Sequence, residues 1–362
     1  MIILDVKLNH IYGFDDFHIN FTYPKKIVGS IIENEFLEGR QRFRYKKAVI
    51  LMGANATGKT SLGKALLHII KSVKESNEAI LRELADSDSK AEFQIDFVNE
   101  GYTLQRISGF IESENTDIRY FTAEIAEMDS YEKAVEKLKD RTNEISGDFK
   151  KLKKLIGNLE YRFAYPEIEK TLKLANVNKQ ALLKTLRAVI GTLDPTLTDV
   201  TAAKDLKDSF VIRRRNQEII IQEGKLLNAD VLSSGTAEGI DVAVFLASML
   251  SERNCFYYCD EHFSYIHSEI EKRIFGLMLE RLGRNEQLIF TTHNMDMLEL
   301  NLPKHAFAFL KKEITDGKYQ VSVSFASDYL KRNTDSVRSA MENDVFRSLP
   351  DDSLLDELEA DL

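Results

Sequence analysis

The segment Gly53-Ala54-Asn55-Ala56-Thr57-Gly58-Lys59-Thr60 constrains this chain more than any other, because it fits G-x-x-x-x-G-K-[ST] in the setting that pattern requires. It follows Ala48-Val49-Ile50-Leu51-Met52, a continuous apolar run bounded by glycine, as expected of a buried strand in a parallel sheet. Leu62, Leu66, Ile69, Ile70 and Val73 then recur at helical spacing. A strand, a glycine-bearing loop and a helix in that order turn backbone N–H groups toward phosphate oxygens at a helix N-terminus, with glycine where the chain bends or approaches closely. Lys59 is expected to reach the β- and γ-phosphates of ATP, and the Thr60 hydroxyl to sit on Mg2+. Gly53, Asn55, Ala56, Thr57, Gly58 and Ser61 complete the nucleotide-binding set expected here.

The rest of the chain reads as an α/β protein built around that loop. Ile2 to Leu8 and Phe17 to Phe21 are strand-like, and the polar passage from there to Lys47 reads as a loop. Phe93–Val98 and Tyr102–Ile107, separated by Asn99-Glu100-Gly101, form a hairpin candidate. Residues from about Ala123 to Ile190 are rich in Lys, Glu, Leu and Ala and are expected to be mainly helical, although Gly147, Gly157 and Pro166 interrupt them too often for a long coiled coil. Strand-turn-strand character returns over Phe210–Asn228. A helix after Thr236, a strand Cys255–Cys259, a helix from about Glu269 to Leu282 and a strand Gln287–Thr292 then alternate, which predicts a sheet covered by helices. The expected divisions are 1–122, holding the loop and a β lobe; 123–200, a helical insertion; 201–335, the second half of the core; and 336–362, an acidic tail.

With 362 residues, 43% hydrophobic and 30% charged, the composition suits a globular protein with one large domain and an insertion. The N-terminal residues lack the basic start, long apolar stretch and cleavage site of a signal peptide, and no apolar stretch is long enough to span a bilayer. Cys255 and Cys259 read as buried core residues of a reducing compartment, with no second Cys/His cluster to complete a metal site. A cytoplasmic protein without membrane partners is expected. Its net charge of −9 argues against coating nucleic acid nonspecifically.

Three further segments carry candidate chemistry. The strand Cys255–Cys259 ends in Asp260-Glu261, where Asp260 can help hold Mg2+ and Glu261 can polarise an attacking water; by themselves, two acids at a strand end equally suit a solvated edge. Leu232-Ser233-Ser234-Gly235-Thr236 offers a serine hydroxyl and backbone amides at a helix start, and read alone suits an ordinary helix cap. His293 follows Ile289-Phe290-Thr291-Thr292 at the end of a core strand.

The order of phosphate loop, Leu-Ser-Ser-Gly-Thr, apolar strand with Asp-Glu and then Thr-Thr-His resembles the P-loop NTPase architecture of the ABC-type ATPase head of SMC and RecF proteins. It is most similar to the stand-alone bacterial AAA-type ABC ATPases grouped with OLD-like and other phage-defence ATPases. The motifs span Gly53 to Asn294. The resemblance implies an ABC-type head with an N-terminal β lobe and a helical insertion, hydrolysing ATP with Mg2+ as a head-to-tail homodimer. Ser233, Ser234 and Gly235 would then meet the γ-phosphate held by the partner copy, and His293 would act as the switch histidine that senses it. Ser234 and Thr236 depart from the transporter signature, occupying the places of its second glycine and its glutamine. By position only, His262–His267 matches the loop that crosses the dimer interface. Gln94 and Gln105 are candidates for the family's Q-loop glutamine.

Function classes follow from these readings. The first is an ATP-driven switch acting on a separate effector, as in phage defence, since nothing after His293 resembles a second catalytic domain. The second is a RecF-like or SMC-like repair ATPase gripping DNA. The third, a transporter subunit, is disfavoured by the altered signature. Lys137–Lys154 and Arg213-Arg214-Arg215 could meet nucleic acid or an acidic partner, or be solvated faces among interspersed acids. The tail Asp351–Leu362 is either a docking peptide or frayed.

Overall fold

A computed structural model describes the chain except residues 86–89, 113–114, 165–171, 173, 175, 204–208, 215–216, 229–230, 252, 316–317, 333, 351–352 and 362. Pro166, Arg215, Asp351, Asp352 and Leu362, singled out above, lie outside the described residues.

The apolar runs assemble into a six-stranded central sheet ordered Tyr161–Ala164, Phe256–Asp260, Gln287–Thr291, Ala48–Met52, Phe307–Thr315 and Lys318–Phe325. The first five strands run parallel and the last returns antiparallel as a hairpin. A strand buried on both faces has no polar side to show, which is why Val49–Met52 and Phe256–Cys259 read as unbroken apolar runs. Alternation still sorts their side chains. Val49, Leu51, Phe256, Tyr258 and Ile289 enter one core, and Ile50, Met52, Tyr257, Cys259, Leu288 and Phe290 the other.

The first core is closed by the helix Lys59–Glu75 and by an antiparallel six-stranded sheet built largely from the N-terminal region. In that sheet Phe17–Asn20, Ile2–Asn9, Ala91–Val98, Thr103–Glu112, Asn115–Glu124 and Lys139–Asp140 lie side by side. The second core is closed by the helices Lys179–Leu193, Ser234–Ser251 and Ser268–Arg281 and by a four-stranded sheet, Leu197–Ala202, Ser209–Arg214, Gln217–Gln222 and Lys225–Leu227.

Two local expectations change. The passage before Lys47, expected as a loop, contains a short antiparallel pair, Phe36–Leu37 with Arg40–Arg44. Phe43 and Tyr45 alternate with charged neighbours there and are buried against Ile2, Leu4 and Tyr131. The stretch 123–190, expected to be mainly helical, is helical only in pieces: Tyr131–Val135, Thr142–Ile145, Phe149–Ile156 and Lys179–Leu193. Between the last two, Tyr161–Ala164 is the edge strand of the central sheet, and Phe163 stacks on Tyr258 with ring centroids 5.6 Å apart. Pairing with a strand almost a hundred residues away overrode the local helix preference. No helix among the described residues is long and apolar enough to cross a membrane.

Candidate active site

The parallel strands bring the loop, the acids and the histidine to one edge, because all emerge from carboxyl ends of adjacent strands. Gly58 opens the helix Lys59–Glu75 at φ +101°, and a side chain there would press into the Phe14 ring at 2.8 Å. At Gly53 a Cβ would meet the Leu310 carbonyl oxygen at 2.6 Å. Ala56 also takes positive φ, +61°, and together with Asn55 is exposed at the loop's tip. Thr57 is buried, its hydroxyl donating to the Ala54 carbonyl at 2.8 Å. Ser61 is half-buried one residue inside the helix after Thr60.

Lys59 is buried and curls back along the loop, donating to the carbonyls of Gly53 at 2.8 Å and Ala54 at 3.1 Å. Its ammonium lies 3.3 Å from Glu261 Oε1, and the same oxygen lies 2.8 Å from His293 Nε2. Burial lowers the Lys59 pKa, while the hydrogen bond from His293, followed by burial and then Lys59, leaves the Glu261 carboxyl below its usual value, the favourable contacts outweighing burial. Glu261 therefore stays ionised through neutral pH. It sits at φ +47°, its backbone N–H donating to the Thr291 carbonyl at 3.2 Å, which turns the side chain out of the strand direction and over the loop.

Asp260, one residue earlier, points the other way. Its two oxygens accept from Thr60 Oγ1 at 2.6 Å and from Thr291 Oγ1 at 2.6 Å, and burial raises its pKa against those bonds. A threonine hydroxyl and a carboxylate this close form a hard-oxygen pair of the kind Mg2+ accepts from a protein that leaves the remaining positions to water and phosphate. The residues thus fit the metal and nucleotide that the loop implies. Tyr258 braces the pair from behind. Its hydroxyl donates to the Lys59 carbonyl at 2.5 Å, and Gly63 leaves room for its ring, which a Cβ would meet at 2.6 Å.

The signature segment is built differently. Ser233 and Ser234 are exposed, and Ser233 Oγ caps its own helix by accepting from the Thr236 N–H at 3.2 Å. Gly235 lies under the Tyr265 carbonyl, which a Cβ would meet at 2.6 Å. Within His262–His267, His262 is buried, Tyr265 is 70% exposed, and His267 caps the following helix by accepting from the Glu269 N–H at 3.2 Å. Neither glutamine candidate reaches the loop by a contact the structure describes. Gln105 accepts from the Tyr120 hydroxyl at 2.8 Å inside the β lobe, and Gln94 lies mid-strand between Lys7 and Ser108.

Sequence reasoning did not single out Thr291, Tyr258 or Glu271. Thr291 could have been found from strand register, since it is the residue directly beside Asp260 in the parallel ladder.

Solved structures share this fold. The SMC head bound to the C-terminal winged-helix domain of ScpA matches with TM-score 0.51 at 14% identity, covering 91% of this chain and 100% of that one. The Smc head with an extended coiled coil bound to the C-terminal domain of ScpA, from Pyrococcus furiosus, matches with TM-score 0.50 at 12% identity, covering 90% and 97%. No curated protein matches the sequence. Residues 48–299, from the strand before the phosphate loop to just past His293, match the family described as AAA domain, putative AbiEii toxin, Type IV TA system, and the chain belongs to that family of P-loop ATPases.

Proposed function

We propose that this protein binds ATP with Mg2+ and hydrolyses it, and that two copies close head-to-tail so that Ser233, Ser234 and Gly235 of one complete the site at Gly53–Ser61 of the other. The observation that carries the reading is the sharing of Glu261 Oε1 between Lys59 and His293 beside the Thr60–Asp260 pair. Lys59 and the loop amides bind phosphate oxygens. Thr60 and Asp260 would hold Mg2+, which supplies charge neutralisation on those oxygens when bound. Glu261, ionised, would orient a water and take its proton as the water attacks the terminal phosphorus and the bond from that phosphorus to the bridging oxygen breaks, releasing ADP and inorganic phosphate; His293, on the same carboxylate oxygen, would fix the direction of that carboxylate.

The exposure of Ser233 and Ser234 supports completion by a second copy: they offer hydroxyls at a helix start to a surface outside their own chain. Such a head is an ATP-controlled switch; the setting proposed for it, bacterial phage defence with a separate effector chain, is supported by the likeness of its motif order to that of phage-defence ATPases. The test is Glu261→Gln. It should bind ATP, lose turnover by about a hundredfold or more, and accumulate as a dimer with ATP and Mg2+. Normal turnover would remove Glu261 as base, and a monomer at saturating ATP would remove the dimer.

A second reading, a repair ATPase that grips DNA, is favoured by one surface. The helix Phe149–Ile156 buries Phe149, Leu152 and Ile156 and turns Lys150, Lys151, Lys153 and Lys154 to solvent. Salt-dependent duplex binding that strengthens with ATP would support it; no binding at low salt would end it.

A further inference from the structure

Glu271 lies in the first turn of the helix Ser268–Arg281 and is almost fully buried, 1% exposed. A buried carboxylate is costly unless its oxygens are satisfied, and both of these are. Oε1 accepts from the Thr292 hydroxyl at 2.7 Å and Oε2 from the Asn294 side-chain amide at 2.6 Å. Those partners are the two neighbours of His293. The Thr292 hydroxyl in turn accepts from the Asn294 N–H at 3.0 Å, and Asn294 Oδ1 accepts from the Asp296 N–H at 3.0 Å, capping the short helix that follows. The chain on either side of His293 is therefore tied to one side chain, while the imidazole itself faces away, 41% exposed, onto Glu261 at 2.8 Å.

We infer that Glu271 is a positioning residue for hydrolysis: it clamps Thr292 and Asn294 and so holds His293 against Glu261. The inference rests on the proposed reading of Glu261 and His293 as the hydrolytic pair. Without the clamp, Thr292 and Asn294 lose their shared anchor and the histidine samples positions off the Glu261 oxygen, which lowers turnover more than nucleotide binding. The polarity of the clamp gives a reciprocal test. In Glu271→Gln the new amide nitrogen faces either the Asn294 amide, donor against donor, or the Thr292 hydroxyl, which then no longer donates to this side chain; adding Asn294→Asp gives the nitrogen an acceptor, keeps the net charge and leaves an oxygen to cap Asp296.

The experiment uses the full chain labelled with 15N-histidine, which has seven histidines, with the His293 signal assigned by its loss in His293→Gln. Glu271→Ala should shift and broaden that signal and lower kcat by about ten- to a hundredfold while KM for ATP stays within about twofold. Glu271→Gln should do the same to a lesser degree, and Glu271→Gln with Asn294→Asp should recover both readouts. Glu269→Ala, an exposed acid on the same helix, is the control and should change neither. An unmoved His293 signal in Glu271→Ala, or a folded double variant that recovers neither readout, overturns the inference. If Glu271→Ala does not fold, the charge-neutral pair decides alone. The histidine signal is read without ATP, so a wild-type protein that hydrolyses nothing would refute the proposed activity and still leave the clamp tested.

Discussion

The two ends of the proposed site are built by opposite means. At the phosphate loop, side chains from the ends of two adjacent parallel strands and from one helix converge: Lys59, Glu261 and His293 share an oxygen, and Thr60, Asp260 and Thr291 share a carboxylate. At the signature, the described hydrogen bonds of Ser233 go to its own helix, and both serines face solvent. A sheet edge can preorganise chemistry within one chain, whereas a helix start exposed on the surface only offers a hydroxyl to something that arrives. In the proposed reading, one copy therefore carries a preformed catalytic half and a recognition half that only a second copy completes.

The loop half depends most on Lys59. Lys59→Ala removes the buried ammonium proposed to bind the phosphates and should weaken ATP binding by roughly 3 kcal/mol, about a hundredfold or more; affinity within a few-fold of wild type, by calorimetry, would detach the loop from nucleotide binding. Ser233→Arg attacks the other half. It should leave ATP binding to the monomer intact and lower turnover by about a hundredfold, and mixing it with Lys59→Ala should restore part of the activity through one intact composite site. No recovery on mixing would argue that each chain works alone.

Thr291→Val sharpens the loop side, taking one of the two hydroxyls from Asp260. The Mg2+ concentration for half-maximal turnover should rise by about tenfold, as expected for a group that orients a metal ligand. Ser234→Ala is the mildest change. The side chain is exposed at the helix start, so stability should move by less than about 0.5 kcal/mol, and turnover should fall only a few-fold; a loss as deep as that of Ser233→Arg would make Ser234 the principal contact.

These two halves were not equally legible in the sequence. The loop announces itself by spacing, and the strand–loop–helix around Gly53–Thr60 was readable because a doubly buried strand and an amphipathic helix leave distinct periods. Asp260, Glu261 and His293 were readable as strand ends. Their sharing of a single oxygen was not, since strand order and register depend on contacts between distant segments. The same holds for Tyr161–Ala164, whose local composition says helix and whose place at the sheet edge comes from Phe163 packing on Tyr258. Thr291 and Glu271 escaped because a hydroxyl and an acid beside apolar residues look ordinary until the residue across from them is known.

One contact ties the halves together. Gly235 lies directly under the carbonyl of Tyr265, four residues after Glu261 on the loop that leaves the acid strand. In the closed pair proposed here, Glu261 serves the nucleotide of its own chain while Gly235 faces that of the other. The two nucleotides would then be linked through a single short stretch of backbone, so that occupancy at one changes the free energy of occupancy at the other. ATP binding to the pair should therefore depart from two independent sites, the second nucleotide meeting an affinity that the first has changed.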